Sequence, residues 1–129
     1  MDRFEERLTD AVRSIRALRE ALAVPKRAAL ERDAILLRFA LAAETAWKAA
    51  QCFLRREGLD FASPRACVRA SLQAGLLDEA SAEGSLQALE DRSLIVHVYR
   101  ESLAAELLER VPAHADALEH WVTSLRRKA

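Results

Sequence analysis

Arg92-Ser93-Leu94-Ile95-Val96-His97-Val98-Tyr99 is the stretch on which the fold turns. By propensity Ile95, Val96, Val98 and Tyr99 favour a strand. The chain around them is rich in Ala, Leu, Arg and Glu and poor in β-branched residues, which is a helical composition. A lone strand would have no partner here. The run is therefore read as the end of a helix, and the whole chain as all-α.

Working outward, the helix that carries this run should begin near Ser81 or Glu83. Before it, Ser63-Pro64 is a start signal, an N-cap residue followed by proline at the first helical position. The short helix it opens should end at Gly75. Further back, a helix from about Ala28 to Glu57 carries one stripe of Leu36, Phe39, Ala43, Trp47, Ala50 and Leu54. Ile35, Ala42, Ala46, Ala49 and Phe53 widen that stripe almost all round, which marks a central, buried helix. Glu44 and Lys48 lie at its polar edge, and Gly58 is a natural stop. The first helix should run from about Asp2 to Ala23, with Phe4, Leu8, Ala11, Ile15, Leu18 and Leu22 as a narrow seam. After the central run, a last helical stretch from about Glu101 to Arg127 should be kinked or split by Pro112. The expectation is one domain over residues 1–129, an up-and-down bundle of about five helices.

The chain has 129 residues, 51% of them apolar, which suits one domain with one core. Twenty basic residues balance twenty acidic ones, so no global charge points to nucleic acid or membrane. Locally, ten acids face three arginines between Asp78 and Glu119, so Arg92 sits in acidic surroundings. Cys52 and Cys67 form neither a metal spacing nor a disulfide framework and are expected free and buried. The charged N-terminus has no apolar core for a signal peptide, and no apolar run approaches a membrane span. A cytoplasmic protein with no metal and no cofactor is expected.

The central run carries the candidate chemistry. Histidine titrates nearest physiological pH, and arginine is best shaped to grip a phosphoryl group. On a continuous α-helix with Arg92 at zero, Val96 lies near about 40°, Leu89 about 60°, Ser93 about 100°, Leu86 about 120° and His97 about 140°. Arg92 and His97 then flank one stripe of Leu86, Leu89, Ser93 and Val96. If the helix persisted, Tyr99 would return to within about 20° of Arg92. One helix keeps Arg92 and His97 apart. Two copies packed about a two-fold axis on that stripe would line a cleft with two of each. Such a cleft could cut RNA without metal, one His taking the 2′-hydroxyl proton and the other protonating the leaving oxygen. The arginines would stabilise the phosphorane-like transition state. The bland alternative is an Arg92 paired with a nearby acid and a His97 satisfied in the interior.

Other candidates carry less. His114 and His120 lie six apart, do not share a helix face, and read as surface residues. Gly84-Ser85 followed by Asp91 is a faint nucleotidyltransferase signature, but it lies inside a helix with no strand before it. Arg55, Arg56, Arg65 and Arg69 read as a solvated rim.

At this point the residues resemble a family. Arg92 to Tyr99 is similar to the Arg-x4-His-x-Tyr signature of HEPN-domain proteins encoded beside minimal nucleotidyltransferases. Arg38-Phe39 with Glu44-Thr45-Ala46-Trp47-Lys48 resembles that family's Phe…Glu-x-x-Trp-Lys helix. Ser63-Pro64-Arg65 through Ala74-Gly75-Leu76 resembles its Ser-Pro-Arg helix and Gly-Leu turn, and Leu89-Glu90-Asp91-Arg92 its lead-in to the motif. The resemblance is strongest to the nucleotidyltransferase substrate-binding group, and it implies a HEPN-like bundle that dimerises. It implies Arg92 and His97 as catalytic residues of a metal-independent RNase toxin, and Tyr99 as the residue a nucleotidyltransferase antitoxin adenylylates. Ser93, Asp91, Glu44 and Lys48 would support them. Many members carry Asn where this chain has Ser93, which keeps a hydroxyl but loses one hydrogen bond.

Three functions follow as expectations. The first is the RNase toxin half of a toxin–antitoxin pair, with a homodimeric site acting on RNA. The second is a non-catalytic subunit that binds a nucleotide or substrate for its nucleotidyltransferase. The third is a plain helical scaffold.

Overall fold

The computed structural model describes residues 2–25 and 28–128. Among these there are five α-helices and no strand: α1 (Arg3–Leu22), α2 (Ala29–Arg56), α3 (Pro64–Gln73), α4 (Glu79–Ser93) and α5 (Glu101–Lys128). A short 3₁₀ turn, Ile95–His97, joins α4 to α5.

Local chemistry sets the helix ends. Asp2 accepts from the Glu5 N–H at 2.8 Å while Glu5 reaches back to the Asp2 N–H, a reciprocal cap that starts α1. Ser63 accepts from the Ala66 N–H and Pro64 opens α3, as its sequence predicts. α4 starts earlier than expected, at Glu79, because Asp78 caps it by accepting from the Ser81 N–H at 2.8 Å. Gly58 (φ 84°) and Gly75 (φ 77°) end α2 and α3 in the left-handed region that glycine enters freely. Pro112 does not split α5, which runs unbroken through it.

The decisive stretch is neither strand nor α-helix throughout. The Ser93 hydroxyl donates to the Glu90 carbonyl, the acceptor that the next turn of α-helix would use for the Leu94 N–H. The Leu94 N–H bonds Asp91 instead, and His97, Val98 and Arg100 continue with the same three-residue spacing. Ile95, Val96 and Val98, stiff at χ1, have little reason to rejoin an α-helix. The angular reckoning that assumed an unbroken helix from Arg92 to Tyr99 is therefore corrected: α4 stops at Ser93, and Tyr99 is not restored to the Arg92 face.

α2 is the central helix and packs against all four others. Its Ile35, Phe39, Ala42, Ala43, Ala46, Ala49, Ala50 and Leu54 are buried, and the many alanines let neighbouring helices approach closely. Trp47 departs from the core expectation and is only half-buried. α1 brings Phe4, Ala11, Ile15 and Leu18 to one side, with Phe4 on Phe53 at a 5.7 Å centroid distance. α5, which also packs against α1, adds Leu107, Val111, Leu118, Trp121 and Leu125. The Trp121 indole donates to Ser71, whose hydroxyl donates to the Cys67 carbonyl, so these polar atoms of the core are paired. Both cysteines are free and buried, and burial pushes the Cys67 thiol up to about 11, which keeps it an unreactive apolar filler.

Candidate functional site

The last turn of α4 divides its residues between inside and outside. Successive helical residues are turned by about 100°, so Asp91 points inward where Arg92 points out. Asp91 is 8% exposed and receives both forks of Arg110, Nε at 2.7 Å and Nη2 at 3.1 Å. The Nε2 of His114 lies 2.5 Å from the same carboxylate, and its ring stacks on Phe39 of α2 at 5.3 Å. Burial pushes the Asp91 carboxyl up, but the hydrogen bonds from Arg110 and His114 outweigh it and hold the group below its usual range. This buried ionic cluster ties the end of α4 to α5. His114 therefore corrects the surface reading: it is 4% exposed. Its phase shows why, since it lies four residues before Leu118 and seven before Trp121 on the apolar face of α5. His120 is exposed, as expected.

Outside, the Arg92 Nη2 reaches the Glu44 Oε2 of α2 at 2.7 Å. The other Glu44 oxygen accepts from the Trp47 indole at 3.0 Å and faces the Lys48 ammonium at 3.9 Å. The Trp47 N–H is thus committed to the carboxylate that holds Arg92, while its ring stays half-buried against the core. The structure thus joins Arg92, Glu44 and Lys48, from segments far apart in sequence. Arg92 keeps 43% of its side chain exposed, so it is oriented but reachable.

His97 and Tyr99 sit together on the 3₁₀ connection, edge to face at 6.2 Å. Both are exposed, Tyr99 at 77%, and so is Val96 at 75%. The reading of His97 as an interior histidine is therefore overturned. The stripe expected to seat a second copy is also changed. Leu86, Leu89 and Ser93 share a shallow cleft of about 200 Å³ with Ser63, Pro64 and Arg65 of α3, so that face is partly covered. Arg65 pairs with Glu90 at its rim, and Arg55 with Asp60, in keeping with a solvated rim. Ser85 is buried, which leaves the Gly84-Ser85 pair unable to touch a nucleotide. Gly84 serves packing instead, since a Cβ there would meet the Ala117 Cβ at 3.4 Å.

Among the described residues, no group of three or more His, Cys, Asp or Glu side chains is placed to hold a metal ion, and no helix is long and apolar enough to cross a membrane.

The family described as "Nucleotidyltransferase substrate binding protein like" matches residues 6–127. Among solved structures, one from Thermus thermophilus is 38% identical, with a TM-score of 0.85 over 91% of this chain and 99% of that one. A tri-AMPylated Shewanella oneidensis HEPN toxin, solved in complex with its MNT antitoxin, has a TM-score of 0.80 over 98% of this chain and 99% of that one. A toxin–antitoxin structure with AMP-PNP has a TM-score of 0.77 over 97% and 99%. Both toxin structures are 15% identical, so the likeness to them is one of fold. No curated protein sequence matches the chain.

Proposed function

Because the chain belongs to the nucleotidyltransferase substrate binding protein-like family, we propose that it is the HEPN partner of a minimal nucleotidyltransferase and the toxin half of that pair. In this reading Arg92 and His97 form a metal-independent endoribonuclease site, and Tyr99 is the residue the nucleotidyltransferase adenylylates. The observation that carries it is the presentation of His97 and Tyr99, side by side and exposed, one turn beyond an Arg92 held in place by Glu44.

The chemistry needs two copies of the site. One His97 takes the proton from an RNA 2′-hydroxyl, whose oxygen attacks the adjacent phosphorus. The bond to the 5′-oxygen breaks, and the second His97 protonates that leaving oxygen. Arg92 of each copy faces the phosphoryl oxygens as charge builds on them. Asp91, Arg110 and His114 fix the turn that aims Arg92. An adenylyl group on Tyr99 would place a phosphodiester and a base within reach of His97 and close the cleft to RNA. The fold likeness to a tri-AMPylated HEPN toxin held by its antitoxin supports this silencing step.

Purified protein, never exposed to the nucleotidyltransferase, should cleave RNA in EDTA. Incubation with the nucleotidyltransferase and ATP should add adenylyl mass and stop cleavage. A Tyr99→Phe variant should cleave RNA like the parent and resist that silencing, as intact mass and a cleavage assay would read. Absence of cleavage by unmodified protein defeats the RNase reading.

A second reading is favoured by one observation. The Arg92 guanidinium is already engaged by Glu44, and the Ser93 hydroxyl is taken up by the Glu90 carbonyl. A subunit that only presents a nucleotide or substrate to its nucleotidyltransferase could keep its arginine occupied in this way. Calorimetry with ATP, with and without the nucleotidyltransferase, tests it: binding without any RNA cleavage selects this reading.

A further inference from the structure

α2 is central, yet one of its faces is bare. Leu30 is 80% exposed, Leu37 59% and Leu41 48%. With Ala34 between them, they repeat at steps of four, three and four, the spacing of a coiled-coil seam. Nothing else in the described bundle has so many exposed leucines on one helix.

The seam is complementary to itself. When two copies of α2 run antiparallel about a two-fold axis between Ile35 and Leu36, Leu30 meets the second copy's Leu41 and Ala34 meets its Leu37. Each large residue thus faces a leucine or a small alanine gap. The flanks agree. A two-fold axis perpendicular to such a helix pair returns each flank to itself, so residues of one flank meet the same flank of the mate. Glu31 and Arg38 share one flank, roughly 70° to 90° from the seam's centre, and lie at nearly matching heights in the two copies. Each Glu31 then faces an Arg38 of the mate, twice over. Arg38 donates one N–H to the Ala17 carbonyl, which sets its orientation and leaves its other donors free for this contact.

The motif lies beyond the other flank. The 3₁₀ turn packs on α2, and Val98 shares a cleft wall with Asp33, Leu36 and Arg32, which stand roughly 70°, 130° and 170° round the helix from the seam's centre.

We propose that the Leu30–Ala34–Leu37–Leu41 seam of α2 is the surface on which a second copy of this chain docks, antiparallel, with Glu31 facing the mate's Arg38. This deepens the two-copy reading above and rests on it for the identity of the occupant. It moves the interface from the Leu86–Leu89 face, which α3 partly covers, to α2.

The test uses the full chain. Sedimentation equilibrium should give twice the 14.4 kDa mass for the parent. Leu37→Glu with Leu41→Glu should leave the helical circular dichroism intact and raise the dimer dissociation constant at least about tenfold. Glu31→Arg alone and Arg38→Glu alone should each weaken self-association through like charges. Mixed together, these two variants should form a heterodimer, because both contacts become opposite-charge pairs. A parent that stays monomeric, or singles that do not pair when mixed, overturns the proposal. A dimer that survives the double glutamate variant also overturns it, and leaves the two-copy RNase reading standing. Loss of nucleotidyltransferase binding with self-association unchanged overturns it in favour of that protein as the occupant. A glutamate variant that becomes monomeric yet cleaves RNA at the parental rate supports this interface and removes the shared cleft.

Discussion

Replacing His97 with alanine is expected to lower RNA cleavage by about 10²- to 10⁴-fold, the usual contribution of a general acid or base. The same change should leave the thermal midpoint within about 2 °C of the parent, because an exposed side chain with no packing role contributes little to stability. His97 meets those conditions. It lies outside the core, its ring contact is with the exposed Tyr99, and the turn holds it by backbone bonds that alanine preserves. In a two-copy site, mixing parent with inactive His97→Ala subunits also has a defined outcome. A cleft that draws on both copies loses activity more steeply than the parent fraction falls, whereas independent sites lose it in proportion. Unchanged cleavage by His97→Ala would remove the acid–base role.

The second large effect concerns stability. Asp91→Asn should cost about 3 kcal/mol, the low end for breaking a buried ion pair, because Arg110 is half-exposed and can turn to water. His114 has no such escape and would be left against an amide. Denaturant unfolding reads this directly. The pH dependence carries a sign as well. The folded Asp91 carboxyl titrates below its unfolded counterpart, so its contribution is complete above the unfolded value of about 3.9 and is lost as pH falls through the folded one. The gap between parent and Asp91→Asn should narrow below about pH 4. A gap that widens on acidification would contradict the assignment. Because Arg92 follows Asp91, the variant should also lose cleavage at temperatures where it is still folded.

Much of this architecture is legible in the sequence. The α2 stripe, the Ser63-Pro64 start, the stops at Gly58 and Gly75 and the α1 seam all depend on local chemistry, and the structure keeps them. So does the absence of a strand among the described residues, which rests on the lack of a partner for Ile95–Tyr99. Periodicity fails where it implies one continuous helix through that run. The break coincides with a side-chain bond, Ser93 to the Glu90 carbonyl, and with the β-branched residues after it, neither of which periodicity registers. Pro112 misleads in the opposite sense, since the packed face of α5 outweighs one missing N–H. For His114 the spacing from His120 is uninformative, and its phase with Leu118 and Trp121 is the relation that matters. Its partner Asp91 lies on another helix, a distance that one-dimensional spacing cannot show. The Glu44 to Arg92 pair is of the same kind. Both residues stand among the candidates, and only the fold shows that they touch.

The 3₁₀ connection has a consequence for how Tyr99 could be handled by another enzyme. A tyrosine in the middle of a long helix must be drawn out by melting several turns, with loss of their packing. Here a short bridge with three-residue backbone bonds separates two helices that are each packed on their own account. Opening it sacrifices a few backbone bonds and the partial packing of Leu94, Ile95 and Val98, and leaves α4 and α5 intact, a local excursion below global unfolding. Amide deuterium uptake should therefore run ahead at residues 94–100 while the flanking helices stay protected. On the adenylylation reading, the chain would present its tyrosine to the nucleotidyltransferase and close again without ever ceasing to be folded.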